Sequence, residues 1–248
     1  MPAAQQPRNE GPQRIAKLLA RAGIASRREI ERMIAEGRIA LNGETVTTPA
    51  TLLEDVTGLT VDGRPVRPAK ASRLYRFYKP EGTITAERDP RGRPTIYDGL
   101  PAGMSRVMPV GRLDFMTEGL LLMTNDGELK RQLELPRTGV IRTYRARAFG
   151  DVTQDQLEAL SEGITIEGMN YGSIDANLER RTGRNAWIEM SLTEGKNREV
   201  RRVLAHLGLQ VSRLIRTAYG PFTLAGLEPG QIEEVDRAEL EAFRGSLK

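Results

Sequence analysis

The 248-residue chain contains no cysteine and a single histidine, and these shortages exclude whole classes of chemistry. Without a thiol there is no cysteine nucleophile, disulfide framework, iron–sulfur cluster or thiolate zinc site. One histidine builds no His-rich metal cage, and a Ser-His-Asp triad would have to use His206. No apolar run reaches membrane-spanning length, and the first residues, MPAAQQPRNEGPQ, lack the apolar stretch of a signal peptide. A cytoplasmic protein with no membrane partner is therefore expected. Aromatics are sparse at 5%, but 39% hydrophobic residues suffice for one large core or two smaller ones.

What is present is strongly segmented. Residues 1–13 are rich in Pro, Gln and Ala without apolar period and read as a disordered lead-in. Ile15, Leu18, Leu19 and Ala22 then fall on one helical face, stopped by Gly23. Ser26 with Glu29 makes a capping box for a second helix, whose apolar face is Ile30, Met33 and Ile34 and whose stop is Gly37. Asn42-Gly43 and Asp62-Gly63 mark two hairpin turns. This helix-helix-hairpin unit, residues 14–70, ends in a Pro-containing polar linker.

From residue 73 to 248 the texture is mainly strand. Strands are expected at Leu74 to Tyr78, Leu120 to Met123, Ile141 to Phe149, Ala186 to Leu192 and Val211 to Thr217. Helices are expected from Thr153, over Asn197 to Leu207, and after Asp236, with Asn125-Asp126-Gly127 as a turn. Strands and helices mix without strict alternation, which favours α+β over a doubly wound parallel sheet.

The formal charge of +4 is small, but its placement is not even. Residues 11–38 hold seven basic residues (Arg14, Lys17, Arg21, Arg27, Arg28, Arg32, Arg38) against Glu29, Glu31 and Glu36, an excess that equals the total. Arg14, Lys17 and Arg21 are expected on the helix face away from the apolar stripe, and Arg28 and Arg32 stand at i, i+4. Such a surface can track a phosphate backbone, although most charge runs are solvated faces. The segments RIAKLLARAG from Arg14, ASRRE from Ala25 and EGRIALNG from Glu36 resemble the S4 RNA-binding domain. That resemblance implies recognition of RNA backbone and shape by Arg14, Lys17, Arg21, Arg27, Arg28 and Arg32.

In the second domain, catalysis without thiols must rest on carboxylates, Tyr, Lys, Arg or hydroxyls. Asp114 stands out because a Gly-Arg-Leu-Asp turn feeding an apolar strand would hold a carboxylate at the rim of a core, although an Asp before a strand is more often a turn former. The segment GRLDFMTEGLLL from Gly111 resembles the catalytic motif of the RsuA/RluB-type ribosomal RNA pseudouridine synthases. YKPEG from Tyr78, DPRGRPT from Asp89, RTY from Arg142 and TEGKNREVRR from Thr193 agree with it. The stretches GKNREVRR and VSRLIR resemble most the large-subunit, B-type enzymes of that family.

The resemblance implies isomerisation of a uridine to pseudouridine in ribosomal RNA, most simply 23S rRNA, by a monomer without metal or other cofactor. It makes Asp114 the essential carboxylate, Arg201 its ion-pair partner and Tyr144 the residue stacked on the uracil. Val200 would pack on the same base, Arg112 would enter the RNA stack after base flipping, and Arg198 and Arg202 would face RNA. By spacing alone Tyr144 reads as strand core and the arginines after Asn197 as a solvated helix face. Lys79-Pro80 reads as structural, Arg88, Arg91 and Arg93 as phosphate contacts, His206 as a solvated residue and Trp187 as packing. Alternatives in substrate are small-subunit rRNA or tRNA; an alternative in class is a non-enzymatic RNA-binding ribosome-assembly factor.

Overall fold

The computed structural model describes residues 11–247, and within them the chain divides into two compact units that meet between Ser72 and Arg73 in the sequence. Of the expected lead-in, residues 1–10 lie outside the described residues, whereas Gln13 pairs with Leu53 in a short antiparallel ladder.

In the first unit, helices α1 (Ile15–Arg21) and α2 (Arg27–Ala35) pack their apolar stripes together. Ile15, Leu19, Ile30, Met33 and Ile34 form its core with Ile39 and Leu59 from the hairpins. Each such side chain withdrawn from water contributes roughly 1.5–3 kcal/mol. Ser26 accepts from the Glu29 amide at 3.2 Å, which is the N-cap half of the expected capping box. Asn42 and Gly43 both take positive φ (51° and 88°), the backbone that a two-residue hairpin turn of matching twist demands. Arg14 differs from expectation. It pairs with Leu52 in the ladder and occupies the N-cap position of α1, so it is not on the helix face with Lys17 and Arg21.

The second unit is built on a nine-stranded mixed sheet. Its main strands are β1 (Leu74–Lys79), β2 (Glu118–Thr124), β3 (Arg142–Phe149), β4 (Ile174–Thr182), β5 (Asn185–Leu192), β6 (Gln210–Tyr219) and β7 (Ile232–Glu234). They lie in the order β4-β5-β3-β6-β2-β1-β7. Neighbours are antiparallel except β6 and β2, which run parallel through Ile215↔Glu118 and Arg216↔Gly119. The α+β class is as expected.

The burial of each strand follows its sequence. In β5, Ala186, Ile188, Met190 and Leu192 point into one core while the intervening residues face outward. Strand β2 is buried throughout: Leu120 and Leu122 enter one core, Leu121 and Met123 another on the opposite face. A strand covered on both faces reads as an unbroken apolar run, which is why Leu120 to Met123 does not alternate. Helix α3 (Gly127–Glu134) occupies the place of the expected turn. Asp126 is its N-cap, accepting from the Glu128 and Leu129 amides, and Leu129 and Leu133 bury one turn apart. Helix α4 (Glu199–His206) precedes β6, and α5 (Arg237–Ser246) closes a core with Leu240 and Phe243. No helix of the described residues is long and apolar enough to cross a membrane.

Candidate active site

The only parallel strand pair among the described residues brings the start of β2 beside the end of β6, and it requires a glycine. A Cβ on Gly119, where φ is 107°, would stand 2.3 Å from the Arg216 carbonyl oxygen and 2.8 Å from its nitrogen. Only glycine permits that approach. It lets the loop ahead of β2, which carries Asp114, meet the strands bearing Tyr144 and Arg216.

That loop is clamped from several sides. The Gly111 amide donates to Glu134 Oε1 (2.7 Å), and Lys130 Nζ donates to the Pro109 carbonyl (2.8 Å), both from α3. Thr85 Oγ1 donates to the Leu113 carbonyl (2.9 Å), and the Leu113 amide lies 3.2 Å from the same hydroxyl. The Thr117 amide closes a turn onto the Asp114 carbonyl (3.0 Å), and the Gly82 amide donates to the Phe115 carbonyl (2.9 Å). A carboxylate mounted on so many fixed points is preorganised.

Lys79 completes the clamp from beneath. It is fully buried, and its Nζ donates to the carbonyls of Thr117 (2.8 Å) and Pro80 (3.0 Å). Burial pushes its pKa down to about 8 against the opposing pull of Asp114, Glu81 and Glu118. The reading of Lys79 as structural agrees with these contacts.

Asp114 itself lines a cleft of about 990 Å³ together with Arg112, Tyr144, Arg198, Val200 and Arg216. Its nearest cation differs from the expected one. Arg198 Nη1 stands 3.6 Å from Asp114 Oδ2, whereas Arg201 donates to the Met116 carbonyl (2.6 Å) and the Val211 carbonyl (3.3 Å). The pairing of Arg201 with Asp114 is therefore corrected to Arg198. The cause is local backbone geometry: Arg198 is the N-cap of α4 in a left-handed conformation (φ 52°), which swings its side chain toward the loop. Such a conformation costs a non-glycine residue roughly 1–2 kcal/mol. Arg201, one turn into the helix, is held against the turn that follows Asp114. Its pKa is lowered by burial first and then by the like charge of Arg198, with Asp114 and Glu81 opposing.

The remaining expected residues divide. Tyr144 on β3 lies across from Arg216 and packs against two cores at once, so it is wall and core together. Val200 is buried in the first turn of α4 at the cleft. Arg112 is exposed at the cleft with no hydrogen bond or ion pair among the described residues. Arg202 is exposed but is not part of the cleft wall. On the first unit Arg27 and Arg28 are exposed, while Arg32 pairs with Glu29 (2.5 Å) and Glu36 (3.5 Å), and Arg38 with Asp62 (2.7 Å). Exposed pairs of this kind are worth little and exchange readily for a phosphate.

Spacing did not point to three further groups. Glu199 is buried at the mouth of α4, where its Oε2 accepts from the Lys196 amide (2.7 Å). Burial, reinforced by Glu194, raises its pKa to about 7. Arg142 and Arg216 are the other two: both line the cleft and both are buried, 6% and 3% exposed. Each guanidinium lies against the Tyr219 ring, at 5.0 and 5.1 Å, so the tyrosine sits between two cations. Along the strands these residues look like ordinary alternating positions, and although both fall in segments that carry the family resemblance, their spacing does not separate them from solvated arginines.

Comparison with known proteins places both units in known families. The family model for RNA pseudouridylate synthase matches residues 73–206, and the S4 domain model matches residues 13–55. The chain is 43% identical over 225 residues to an uncharacterized RNA pseudouridine synthase of Rickettsia bellii, covering 91% of this chain and 97% of that one. It is 40% identical to ribosomal large subunit pseudouridine synthase B of Pasteurella multocida, covering 98% of this chain and 72% of the relative. The Salmonella typhimurium protein of the same name is 41% identical, with 95% and 84% covered. A crystal structure of a pseudouridylate synthase superposes with a TM-score of 0.64 at 26% identity, covering 92% of this chain and 98% of that one.

Proposed function

The chain belongs to the RNA pseudouridylate synthase family, with an S4 domain ahead of the catalytic domain, and from that premise we propose that it isomerises one uridine of 23S ribosomal RNA. The protein is an RNA pseudouridine synthase, an isomerase. In this reaction the N1–C1′ bond of the nucleotide breaks, the uracil turns, and a C5–C1′ bond forms. A proton leaves C5 and N1 gains one, so atoms and electrons balance within the substrate and nothing is consumed.

The observation that carries the site assignment is Asp114, anchored on a clamped loop at a cleft with Arg198 3.6 Å away. The carboxylate works either as nucleophile or as the base that takes a ribose proton; both roles need it ionised, and Arg198 supplies the compensating charge. Tyr144 offers a ring face to the base, and Val200 packs beside it. Arg112 occupies the space that the base vacates in the RNA stack, an exchange that offsets a few kcal/mol of unstacking. Arg201 acts through the Met116 carbonyl to hold the loop. The S4 domain contributes backbone affinity through Lys17, Arg21, Arg27 and Arg28, with Arg14, Arg32, Arg198 and Arg202 as further RNA contacts. The enzyme works as a cytoplasmic monomer on rRNA or a large-subunit precursor.

The test is a map of pseudouridines in rRNA from cells with and without the gene, complemented by wild type or Asp114→Asn. One 23S pseudouridine should disappear on deletion and return only with wild type. A lost site in small-subunit rRNA or tRNA would reassign the substrate, and restoration by Asp114→Asn would remove the catalytic role of that carboxylate.

A further inference from the structure

Arg216 presents an energetic puzzle that the roles above do not absorb. Its side chain is 3% exposed, and its Nε donates to the Leu120 carbonyl at 2.7 Å. Its Nη2 is buried with no hydrogen-bond partner, and no carboxylate forms an ion pair with it among the described residues. A guanidinium stays protonated in any protein, and a buried cation without a counter-charge is expensive. Arg142 beside it donates to the Tyr219 hydroxyl (3.0 Å) and the Leu133 carbonyl (3.4 Å), again without a carboxylate. Two uncompensated cations therefore share one wall of the cleft. Glu118 is engaged by Arg213 and Tyr78 and Glu194 by Lys196 and the Gly172 amide, while Glu199, which also lines the cleft, accepts from the Lys196 amide and forms no ion pair with either arginine among the described residues. Asp114 is paired with Arg198.

The position of Arg216 says what would balance it. Its guanidinium is 6.0 Å from the ring of Tyr144, its cross-strand neighbour, and both line the cleft. A base stacked on Tyr144 would thus lie beside a spare N–H donor that has no acceptor. Uracil offers two acceptors, O2 and O4, in its ring plane. When N1–C1′ breaks, the bonding pair stays with the base, and the resulting uracil anion carries its charge on those oxygens. Resting on the proposed pseudouridine synthesis, we propose that Arg216 is a catalytic residue whose guanidinium donates to a uracil carbonyl and stabilises the anion released on glycosidic cleavage. A donor in place before reaction and already desolvated stabilises developing charge at little cost in reorganisation. The uncompensated cation is then the resting form of a site whose anion exists only during turnover. The same donor disfavours cytosine, which presents an amino group where uracil has O4.

The experiment uses the full-length protein and 23S rRNA from a strain lacking the gene, with single-turnover pseudouridine formation as readout. Arg216→Met should lower the rate roughly 10²–10³-fold, the usual effect of removing one such donor, while RNA affinity changes less than about threefold. Arg216→Lys, which keeps the charge, should lose less. A second series replaces uridine by 5-fluorouridine, whose anion is intrinsically more stable, and follows its loss from the RNA. If Arg216 stabilises the anion, the fold-loss in both variants shrinks on the fluorinated base. A residue that merely holds the sheet together gives the same fold-loss on both bases, and that result overturns the proposal, as does an unimpaired Arg216→Met. Failure of the wild type to form pseudouridine in this rRNA would instead overturn the functional reading and the Arg216 role with it.

Discussion

Replacing Gly119 with alanine tests the claim that one close backbone approach assembles the site. The new Cβ would stand 2.3 Å from one backbone atom of Arg216 and 2.8 Å from another, and neither can swing aside as a flexible side chain would. Forcing the strands apart is overpacking, which typically costs 1–3 kcal/mol. Holding an alanine at φ 107° adds strain of order 1–3 kcal/mol. Together that is roughly 2–6 kcal/mol out of a total stability of about 5–15 kcal/mol. At about 2–4 °C per kcal/mol for a domain of this size, the melting temperature should fall by roughly 10 °C. Gly92→Ala is the control: φ is 69° there, but nothing lies within 4 Å of the new Cβ, so only strain of about 1–2 kcal/mol remains. Thermal melts by circular dichroism and single-turnover pseudouridine formation on the same preparations give both readouts. Gly119→Ala should lose activity even well below its melting temperature, because the loop shifts relative to Tyr144 and Arg216. A Gly119→Ala melt equal to that of Gly92→Ala, with activity intact, would refute the reasoning.

The two arginines near Asp114 should also separate. Arg201→Met leaves the Met116 carbonyl without its charged donor and should cost about 1–3 kcal/mol of stability in a urea melt, whereas Arg198→Met breaks a half-exposed pair and should cost under about 1 kcal/mol. Equal losses would show that the loop is not held through Met116. Glu199, with its pKa raised to about 7, keeps a proton in the folded state that the unfolded chain gives up near its ordinary value of 4.5. Its contribution to stability is present below that ordinary value and declines as pH rises through about 7, so Glu199→Gln should flatten the melting temperature across this window. An unchanged slope would place the pH dependence elsewhere. Deleting residues 1–70 should weaken RNA binding and reduce its salt dependence while residues 73–248 remain folded. A salt slope identical to that of the full chain would leave the basic helices of the S4 domain as solvated faces.

Local signals were legible wherever a few adjacent residues determine the conformation. Ser26, Asn42-Gly43 and the Thr153–Gln156 capping box do what their chemistry requires without help from distant chain. Where one short motif serves two conformations, tertiary contacts choose. Asn125-Asp126-Gly127 suits a turn and a helix start equally, and only the burial of Leu129 and Leu133 selects the helix. Strand β4 was missed because its outer half, Glu179 to Thr182, is polar and exposed, and the Ile164–Ile166 and Met169–Tyr171 hairpin is too short to show a period. In the site, Asp114 was visible as a carboxylate at the start of a buried strand. Its partner was not, because the left-handed turn at Arg198 follows from how α4 meets the loop. Arg142 and Arg216 alternate like any strand residues, and only burial distinguishes them.

The parallel pairing of β2 with β6 also sets the order in which this enzyme comes into being. Arg216 donates to Leu120 from 96 residues further along the chain, so the cleft is a contact of very high sequence separation. Contacts of that kind form late, after local helices and hairpins have paid their own loop entropies. The cleft is complete only where β6 stands beside Gly119.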